Sequence, residues 1–278
     1  MNEDDNAHSS SIDSRIHDLH DAFLDPKVKA ILTVIGGFNS NQLLDAIDWD
    51  IIRSNPKIFC GYSDITALSN ALFAKTGLMT YVGPHYSTFG QKHLSDYTVD
   101  YVKKCLFDDD TFTVLASKAW TDDRWYKDQN NRQLIENAGH WILQPGQAKG
   151  VIIGDNLSTY NLLQGTSYEP SVDDDVIAFF EDDASVDLAT FDRDLESFLQ
   201  TKLAERLKGL VIGRFQVASN VAFADLQALA HDKPRLQNIP IIANVDFGHT
   251  DPMVAFPIGG TARVNATESV LTLTIERH

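Results

Sequence analysis

The sequence predicts an α/β protein: a parallel sheet covered by helices, followed by a second, β-rich mixed α/β unit. Three observations carry this expectation. Short apolar runs of strand length alternate with helix-like stretches over roughly the first hundred residues, the pattern of βαβ units. Two of those runs, at 30–35 and 57–62, end in the turns Gly36-Gly37 and Tyr62-Ser63, as strands that feed helices do. At the far end Val270, Thr272 and Thr274 alternate with Leu271, Leu273 and Ile275, which makes a half-buried closing strand.

Taken in order, Ile12, Ile16, Leu19 and Phe23 recur at helical spacing and Pro26 closes that helix. The run 30–35 is too short for a helix and reads as a strand, followed by Gly36-Gly37 and a helix over 41–47. Residues 57–62 repeat the strand, 65–75 form the next helix up to Gly77, and 79–82 give another strand. Strands joined this way lie parallel, and ligands bind beyond their carboxyl ends, where both turns fall. From Asp108 to Gln147 the texture becomes acidic and amide-rich, with Trp120, Trp125, Tyr126 and Trp141 interspersed. This stretch reads as a connection, which divides the chain into 1–115, 116–147 and 148–278. In the last part, strands at 150–153, 176–180, 210–212 and 239–245 accompany a long amphipathic helix. Its apolar positions are Phe191, Leu195, Phe198, Leu199, Leu203 and Leu207.

Composition narrows the function. The 278 residues are 43% hydrophobic, enough for substantial cores, and carry a net charge of -16 from 39 acidic and 23 basic side chains. That charge repels phosphate backbones and anionic lipid, so neither a nucleic acid polymer nor a membrane is an expected partner. Two cysteines, Cys60 and Cys105, support neither a disulfide framework nor a cysteine zinc site, and a reducing cytoplasm fits them. Residues 1–5 are acidic where an export signal is basic, and no apolar run approaches the ~20 residues that span a bilayer. His17 and His20 are the close histidine pair, on the opening helix, and the glycine turns match no nucleotide-binding loop. No metal or cofactor is expected.

Ser63 stands at a strand-to-helix turn, where a serine either caps the helix or serves as a nucleophile facing free N–H groups. A nucleophilic serine needs a base and a group that orients the base. Two histidines sit on loops leaving strands, His249 after 241–246 and His85 after Gly83-Pro84; the residues alone leave the choice open. Glu181 is the first charge after the buried run 176–180, so it reads as the orienting acid or as a solvated loop acid. Gly37 can present a bare backbone N–H beside that of Asp64, forming an oxyanion hole, or simply make a turn. Asn156, in Gly154-Asp155-Asn156, faces a ligand or caps a helix.

Taken together, 35–41, 57–68, Gly154-Asp155-Asn156-Leu157, Phe180-Glu181-Asp182 and Phe247-Gly248-His249 with Pro257-Ile258-Gly259 resemble the LD-carboxypeptidase family of serine peptidases. The resemblance runs in order over nearly the whole chain. It implies Ser63 as nucleophile, Glu181 as acid and His249 as base, with Gly37 and Asp64 giving oxyanion N–H groups. It further implies a flavodoxin-like N-terminal domain, a β-rich C-terminal domain, a site in the cleft between them, and a homodimer. The serine turn departs from the Gly-x-Ser-x-Gly elbow, because Ile65 stands where the last glycine would be. Residues 120–150 are similar to the microcin C self-immunity branch of the family, in which an aromatic stacks on the nucleobase of an aminoacyl nucleotide. Trp141 is the candidate for that stacking, with His140 beside it where the branch tends to carry a second tryptophan. The implied substrates are a muropeptide ending in D-alanine or an aminoacyl nucleotide. Family members usually begin with one more strand-loop-helix-strand unit, so the N-terminal domain is expected to lack its first strand-helix unit. A catalytically impaired, truncated binding protein of the same family is the alternative expectation.

Overall fold

Among the described residues the apolar side chains form three buried clusters, one of which joins two sheets. The computed structural model describes residues 9–267 and 270–278; the acidic residues 1–5 lie outside them. Helix α1 (Ile12–Leu24) begins at Ser11, whose hydroxyl accepts from the Ser14 N–H. Strand β1 (Ala30–Leu32) leads through a 3-10 turn to α2 (Trp49–Ser54), then come β2 (Ile58–Gly61), α3 (Thr66–Thr76), β3 (Thr80–Val82) and α4 (Asp96–Leu106). Strand β4 (Phe112–Val114) precedes the small hairpin of β5 (Ala119–Trp120) and β6 (Ile135–Glu136), followed by β7 (Trp141–Gln144) and the long β8 (Gly146–Asn156). The rest runs α5 (Leu157–Asn161), β9 (Val176–Glu181), α6 (Leu188–Leu199), β10 (Leu207–Gly213), α7 (Phe223–Asp232), β11 (Ile241–Val245), β12 (Phe256–Ile258), β13 (Thr261–Ala266) and β14 (Leu271–Arg277).

The first sheet has the order β1-β2-β3-β12, and the second β4-β14-β13-β8-β9-β10-β11-β7. Strands β1, β2 and β3 pair in parallel, as the alternation of strands and helices predicts. In the second sheet β8 pairs antiparallel with β13 through its first half and parallel with β9 through its second. Parallel pairing continues across β9, β10 and β11, so the carboxyl ends of four strands share one edge. Each sheet takes a strand from across the chain: β12 pairs with β3, and β4 pairs with β14. Val82, Phe179, Val211, Phe247 and Phe256 accordingly belong to a single buried cluster. Phe256 packs on Phe179 at 4.7 Å and on Phe247 at 5.1 Å between ring centroids, contacts that stabilise beyond the area they bury.

Three expectations change in detail. The run 30–35 is in the sheet only through Leu32, because the carbonyls of Thr33 and Val34 are taken by the N–H groups of Tyr86 and Ser87. Val34 and Ile35 are thereby exposed. The helix over 41–47 is a 3-10 helix, Ser40–Ala46. The helix expected to run through Leu207 stops at Leu199; Leu203 lies in a short 3-10 turn and Leu207 opens β10. Both leucines are buried, so their apolar spacing is real, but a turn and a strand use it. The closing strand alternates as expected, with Leu273 and Ile275 fully buried.

The loop that leaves β11 is held by a buried ionic cluster. Asp246, fully buried, accepts from the Ser117 N–H at 2.9 Å and the Ser117 hydroxyl at 2.6 Å, and pairs with the Arg214 guanidinium. Arg214 Nε donates to Asn244 Oδ1 at 2.9 Å, and its guanidinium lies 5.0 Å from the centre of the Trp120 ring. The Asp246 carbonyl receives the Val254 N–H at 2.7 Å, which closes the loop between them. Burial alone would raise the Asp246 pKa; the His140 imidazole, Arg214 and Ser117 outweigh it and hold the carboxyl down to about 2. The group is thus depressed below its unfolded value of ~3.9, and its stabilisation is present above that pH and lost as the pH falls toward 2. Asp246→Asn should cost about 3–5 kcal/mol at neutral pH, because Arg214 stays buried without its counter-charge. Urea unfolding of both proteins should show that difference shrinking below pH ~4; a difference constant with pH would contradict the assignment.

Candidate active site

Strand ends bring three side chains into a line. Ser63 follows β2 with φ of 65°, the left-handed region that a non-glycine residue occupies under strain. Its Oγ lies 3.1 Å from His249 Nε2, and His249 Nδ1 lies 2.8 Å from Glu181 Oε2. With Nδ1–H donating to the carboxylate, Nε2 is left to accept the serine hydroxyl. Ser63 does not cap the following helix: α3 has Ile65 at its N-cap, with no side-chain bond there.

Glu181 is the last residue of β9 and is 1% exposed, so it is no solvated loop acid. Its carboxylate also receives Asn156 Nδ2 at 3.2 Å. Gly248, with φ of 97°, lets the His249 loop pass over this carboxylate, since a Cβ there would stand 2.2 Å from Glu181 Oε2. Burial lowers the His249 pKa, but the charge and hydrogen bond of Glu181, aided by Asp183, raise it to about 9. Asp182, bonded to Asn156 and Ser158, is pushed up to about 6 by burial and the charge of Glu181.

His85 occupies a second layer. It is buried, its Nδ1 meets Thr33 Oγ1 at 2.8 Å, and its ring stacks on Tyr62 at 4.2 Å. Tyr62 in turn meets His249 edge-on at 5.4 Å. Burial first, and the nearby His249 second, lower the His85 pKa to about 4. Of the two candidate histidines, His249 is the one at Ser63.

Gly36 and Gly37 run directly over the serine. A Cβ on Gly36 would come within 3.0 Å of Ser63 Oγ and 3.6 Å of the Asp64 nitrogen, and one on Gly37 within 3.1 Å of Asp64 Oδ2. The loop is pinned by Ser40, whose N–H donates to Asp64 Oδ2 at 2.9 Å. Gly37, Asp64, Asn156 and Ser63 line one cavity of about 650 Å³. Asn156 lines this cavity and also caps α5 by accepting from the Thr159 N–H.

His249 opens on its other side into a cavity of about 220 Å³, lined by Tyr62, Trp125, Tyr126, Arg132 and Asp251 among others. Arg132 pairs with Asp251 at 2.7 Å, two residues beyond His249. Trp141 lies elsewhere: it lines a third cavity of about 360 Å³ with Trp120 and Arg214, and packs edge-on against Phe223 at 5.7 Å. His140 sits 3.8 Å from Asp246 within the ionic cluster. Neither lines the cavities that reach Ser63 or His249. Sequence reasoning passed over Tyr62, Arg132 and Asp155. Asp155 alone carried a signal, through its place in a turn at the end of a buried run.

Among the described residues, no group of three or more His, Cys, Asp or Glu could hold a metal ion, and no helix is long and apolar enough to cross a membrane.

Known proteins share this architecture. The LD-carboxypeptidase N-terminal domain matches residues 1–83 and the LD-carboxypeptidase C-terminal domain matches residues 149–264. The putative carboxypeptidase YocD of Bacillus subtilis (strain 168) is 51% identical over 270 residues, covering 97% of this chain and 83% of that protein. The crystal structure of an MccF-like protein from Bacillus anthracis str. Ames superposes with a TM-score of 0.96 at 51% identity, over 99% of this chain and 84% of that one. Microcin C7 self-immunity protein MccF in complex with aspartyl sulfamoyl adenosine superposes at 0.86 with 27% identity, over 100% of this chain and 84% of that one. Two matching domain models and a relative sharing half its residues leave one conclusion: the chain belongs to the LD-carboxypeptidase family.

Proposed function

We propose that the protein is a serine carboxypeptidase in which Ser63 is the nucleophile, His249 the general base and Glu181 the acid that orients it, cleaving an amide near the C-terminus of a small peptide-like substrate. The unbroken hydrogen-bond line from Glu181 through His249 to Ser63 Oγ carries this reading. As Oγ attacks the scissile carbonyl, Nε2 takes the hydroxyl proton, and Glu181 stabilises the imidazolium that forms. The oxyanion is met by the backbone N–H groups of Gly37 and Asp64. His249 then passes its proton to the departing amine, and water, activated by the same nitrogen, releases the acyl group from Ser63.

The two cavities give the substrate a direction. His249 protonates the leaving group, so that group occupies the cavity lined by His249, Arg132 and Trp125. The acyl portion lies in the larger cavity beside Gly37 and Asn156. In this reading a terminal D-alanine occupies the smaller space, with its carboxylate toward Arg132, which also holds Asp251 and Gln91. One observation favours a second reading, an aminoacyl nucleotide: Trp125 and Tyr126, edge-on at 6.0 Å, line the leaving-group cavity and offer rings for base stacking. In that reading the stacking falls to Trp125 or Tyr126, because Trp141 faces a separate cavity.

The proposal extends to a cytoplasmic location, supported by two cysteines that are free and buried, and to a homodimer, which rests on the family resemblance alone. It extends also to a division of the chain into 1–115, carrying the nucleophile, and 148–278, carrying acid and base, joined by 116–147. Each unit lends a strand to the other's sheet.

Ser63→Ala should lower kcat by roughly 10⁴-fold or more with little change in KM, and should abolish labelling by a serine-reactive phosphonate; unchanged turnover would refute the nucleophile. His249 must be neutral to act, and its pKa is raised to about 9, so kcat/KM should climb with pH well past ~6.5. Glu181→Gln should move that acid limb to lower pH while reducing kcat, which a pH profile of both enzymes would read. Gly248→Ala, whose methyl would stand 2.2 Å from Glu181 Oε2, should part Glu181 from His249. A fall in kcat of roughly 10²-fold at unchanged KM is the expected kinetic result.

A further inference from the structure

We propose that Asp155 is a neutral carboxylic acid that closes a hydrogen-bonded ring around the nucleophile's backbone, making it a positioning residue for Ser63; this rests on the serine-hydrolase reading above. Asp155 lies at the end of β8, fully buried, with φ of 103°. An aspartate in that conformation is strained by about 1–3 kcal/mol, so something must hold it there. Its Oδ2 accepts the Ser63 N–H at 3.1 Å and lies 2.8 Å from Thr66 Oγ1. Thr66 Oγ1 is in turn 2.6 Å from the Ser63 carbonyl oxygen and accepts the Asn156 N–H at 3.1 Å.

Counting hydrogens leaves two arrangements, which differ in the charge of Asp155. Thr66 has one hydroxyl hydrogen, and the Ser63 carbonyl can only accept. If that hydrogen goes to the carbonyl, the 2.8 Å contact between Thr66 and Asp155 needs a hydrogen from Asp155. A protonated Oδ2 supplies it. The ring then runs from Ser63 N–H to Asp155 Oδ2, from Asp155 O–H to Thr66 Oγ1, and from Thr66 O–H back to the Ser63 carbonyl. Both backbone groups of the nucleophile are engaged, which holds Ser63 at its positive φ. It also keeps the Ser63 N–H away from the oxyanion, leaving that work to Gly37 and Asp64.

The other oxygen points the same way. Asp155 Oδ1 is buried and has no hydrogen-bond partner among the described residues. An ionised carboxylate would leave charge on that atom unanswered, at a cost of several kcal/mol; a neutral carbonyl oxygen tolerates the site far better. The titratable groups facing it are Glu181 from β9, His249 from the loop after β11, and Cys60 and Tyr62 at the end of β2. Glu181 is already paired with His249. Burial first and the charge of Glu181 second push the Asp155 pKa well above its ordinary value, against the pull of Thr66, His249 and Ser63. Two carboxyl groups thus flank one histidine in different states: Glu181 ionised and orienting, Asp155 neutral and positioning.

Infrared difference spectroscopy at neutral pH reads the charge state directly. A protonated-carboxyl band should be present in the wild-type protein and in Ser63→Ala, and lost in Asp155→Asn; its absence from the wild type overturns neutrality whether or not the protein turns over. In kinetics, Asp155→Asn keeps a neutral side chain with an acceptor oxygen and should lower kcat by about tenfold with the acid limb of kcat/KM unmoved. A limb displaced to lower pH in this variant would mean that a negative charge had been removed, and would also overturn neutrality. Asp155→Ala breaks the ring, and should lower kcat and the rate of phosphonate labelling of Ser63 together by roughly 10²-fold at unchanged KM. Thr66→Val cuts the same ring from α3 and should act in the same direction if the alanine variant does not fold. Wild-type labelling and turnover in both ring-breaking variants would overturn the positioning role. A wild-type protein that neither labels nor hydrolyses would instead count against the serine-hydrolase reading, and the infrared band would still decide Asp155.

Discussion

The site depends on one pairing, that of the Glu181 carboxylate with the His249 imidazole. A charge that is 1% exposed is tolerated only when an opposite charge or several donors answer it. Glu181 has both, from His249 Nδ1 and from Asn156 Nδ2. The same pairing sets the tautomer that leaves Nε2 free for Ser63, so the electrostatic need of a buried acid and the chemical need of a nucleophile are met by one bond. What surrounds the pair follows from keeping it short. Gly248 passes where a side chain would strike Glu181, and Gly213 leaves room for the Glu181 Cβ, which a methyl would approach to 2.7 Å.

Holding that bond falls to the scaffold's register. Glu181 pairs with Asn156 across β8 and β9, and Asp155 pairs with Phe180. A slip of one residue would turn Glu181 to the opposite face of the sheet and place Phe180 at the site. Side chains buried on both faces oppose it: Ile177 and Phe179 enter the core shared with Val82 and Phe256, while Val176, Ala178 and Phe180 enter the core under α6. Strands buried on two faces are rich in apolar residues for this reason. His249 has a separate anchor, because its loop starts from the Asp246–Arg214 cluster. Nucleophile and base therefore reach one point from two sheets, joined by the shared core and by β12 beside β3.

This division explains what the sequence could reveal. Ser63, Glu181 and His249 each follow a short apolar run, and a strand end is visible in one dimension. That the three ends converge is not, which is why His85, on an equally well-formed loop, stood level with His249 on the residues alone and only the family resemblance parted them; in the fold Tyr62 lies between the two. Asp155 was harder to see, since an aspartate between Gly154 and Asn156 has the look of any turn, and its contacts are to residues some ninety positions away. The loop aromatics were visible as a group, but composition could not say that Trp125 and Tyr126 face the histidine while Trp141 packs on Phe223. The apolar spacing from Phe191 to Leu207 likewise fits helix, turn and strand equally well, and the buried partners decided among them.

The concentration of acid at the centre gives the last step. Asp155, Glu181, Asp182 and Asp183 lie at two adjacent strand ends, in a chain with a net charge of -16. Were all four ionised, the imidazole would be held as a cation to a still higher pH than the value of about 9 it already has beside Glu181 and Asp183. Burial sorts them: the Asp155 pKa is pushed well above the ordinary range and that of Asp182 to about 6, while Asp183, bonded by Ser185, is pulled down. Glu181, as deeply buried as Asp182, keeps its charge because His249 Nδ1 and Asn156 Nδ2 answer it. Which acid carries charge beside the histidine is decided by burial together with the partners that answer it: Glu181 has the imidazole, whereas Asp155 has no partner for its Oδ1 among the described residues.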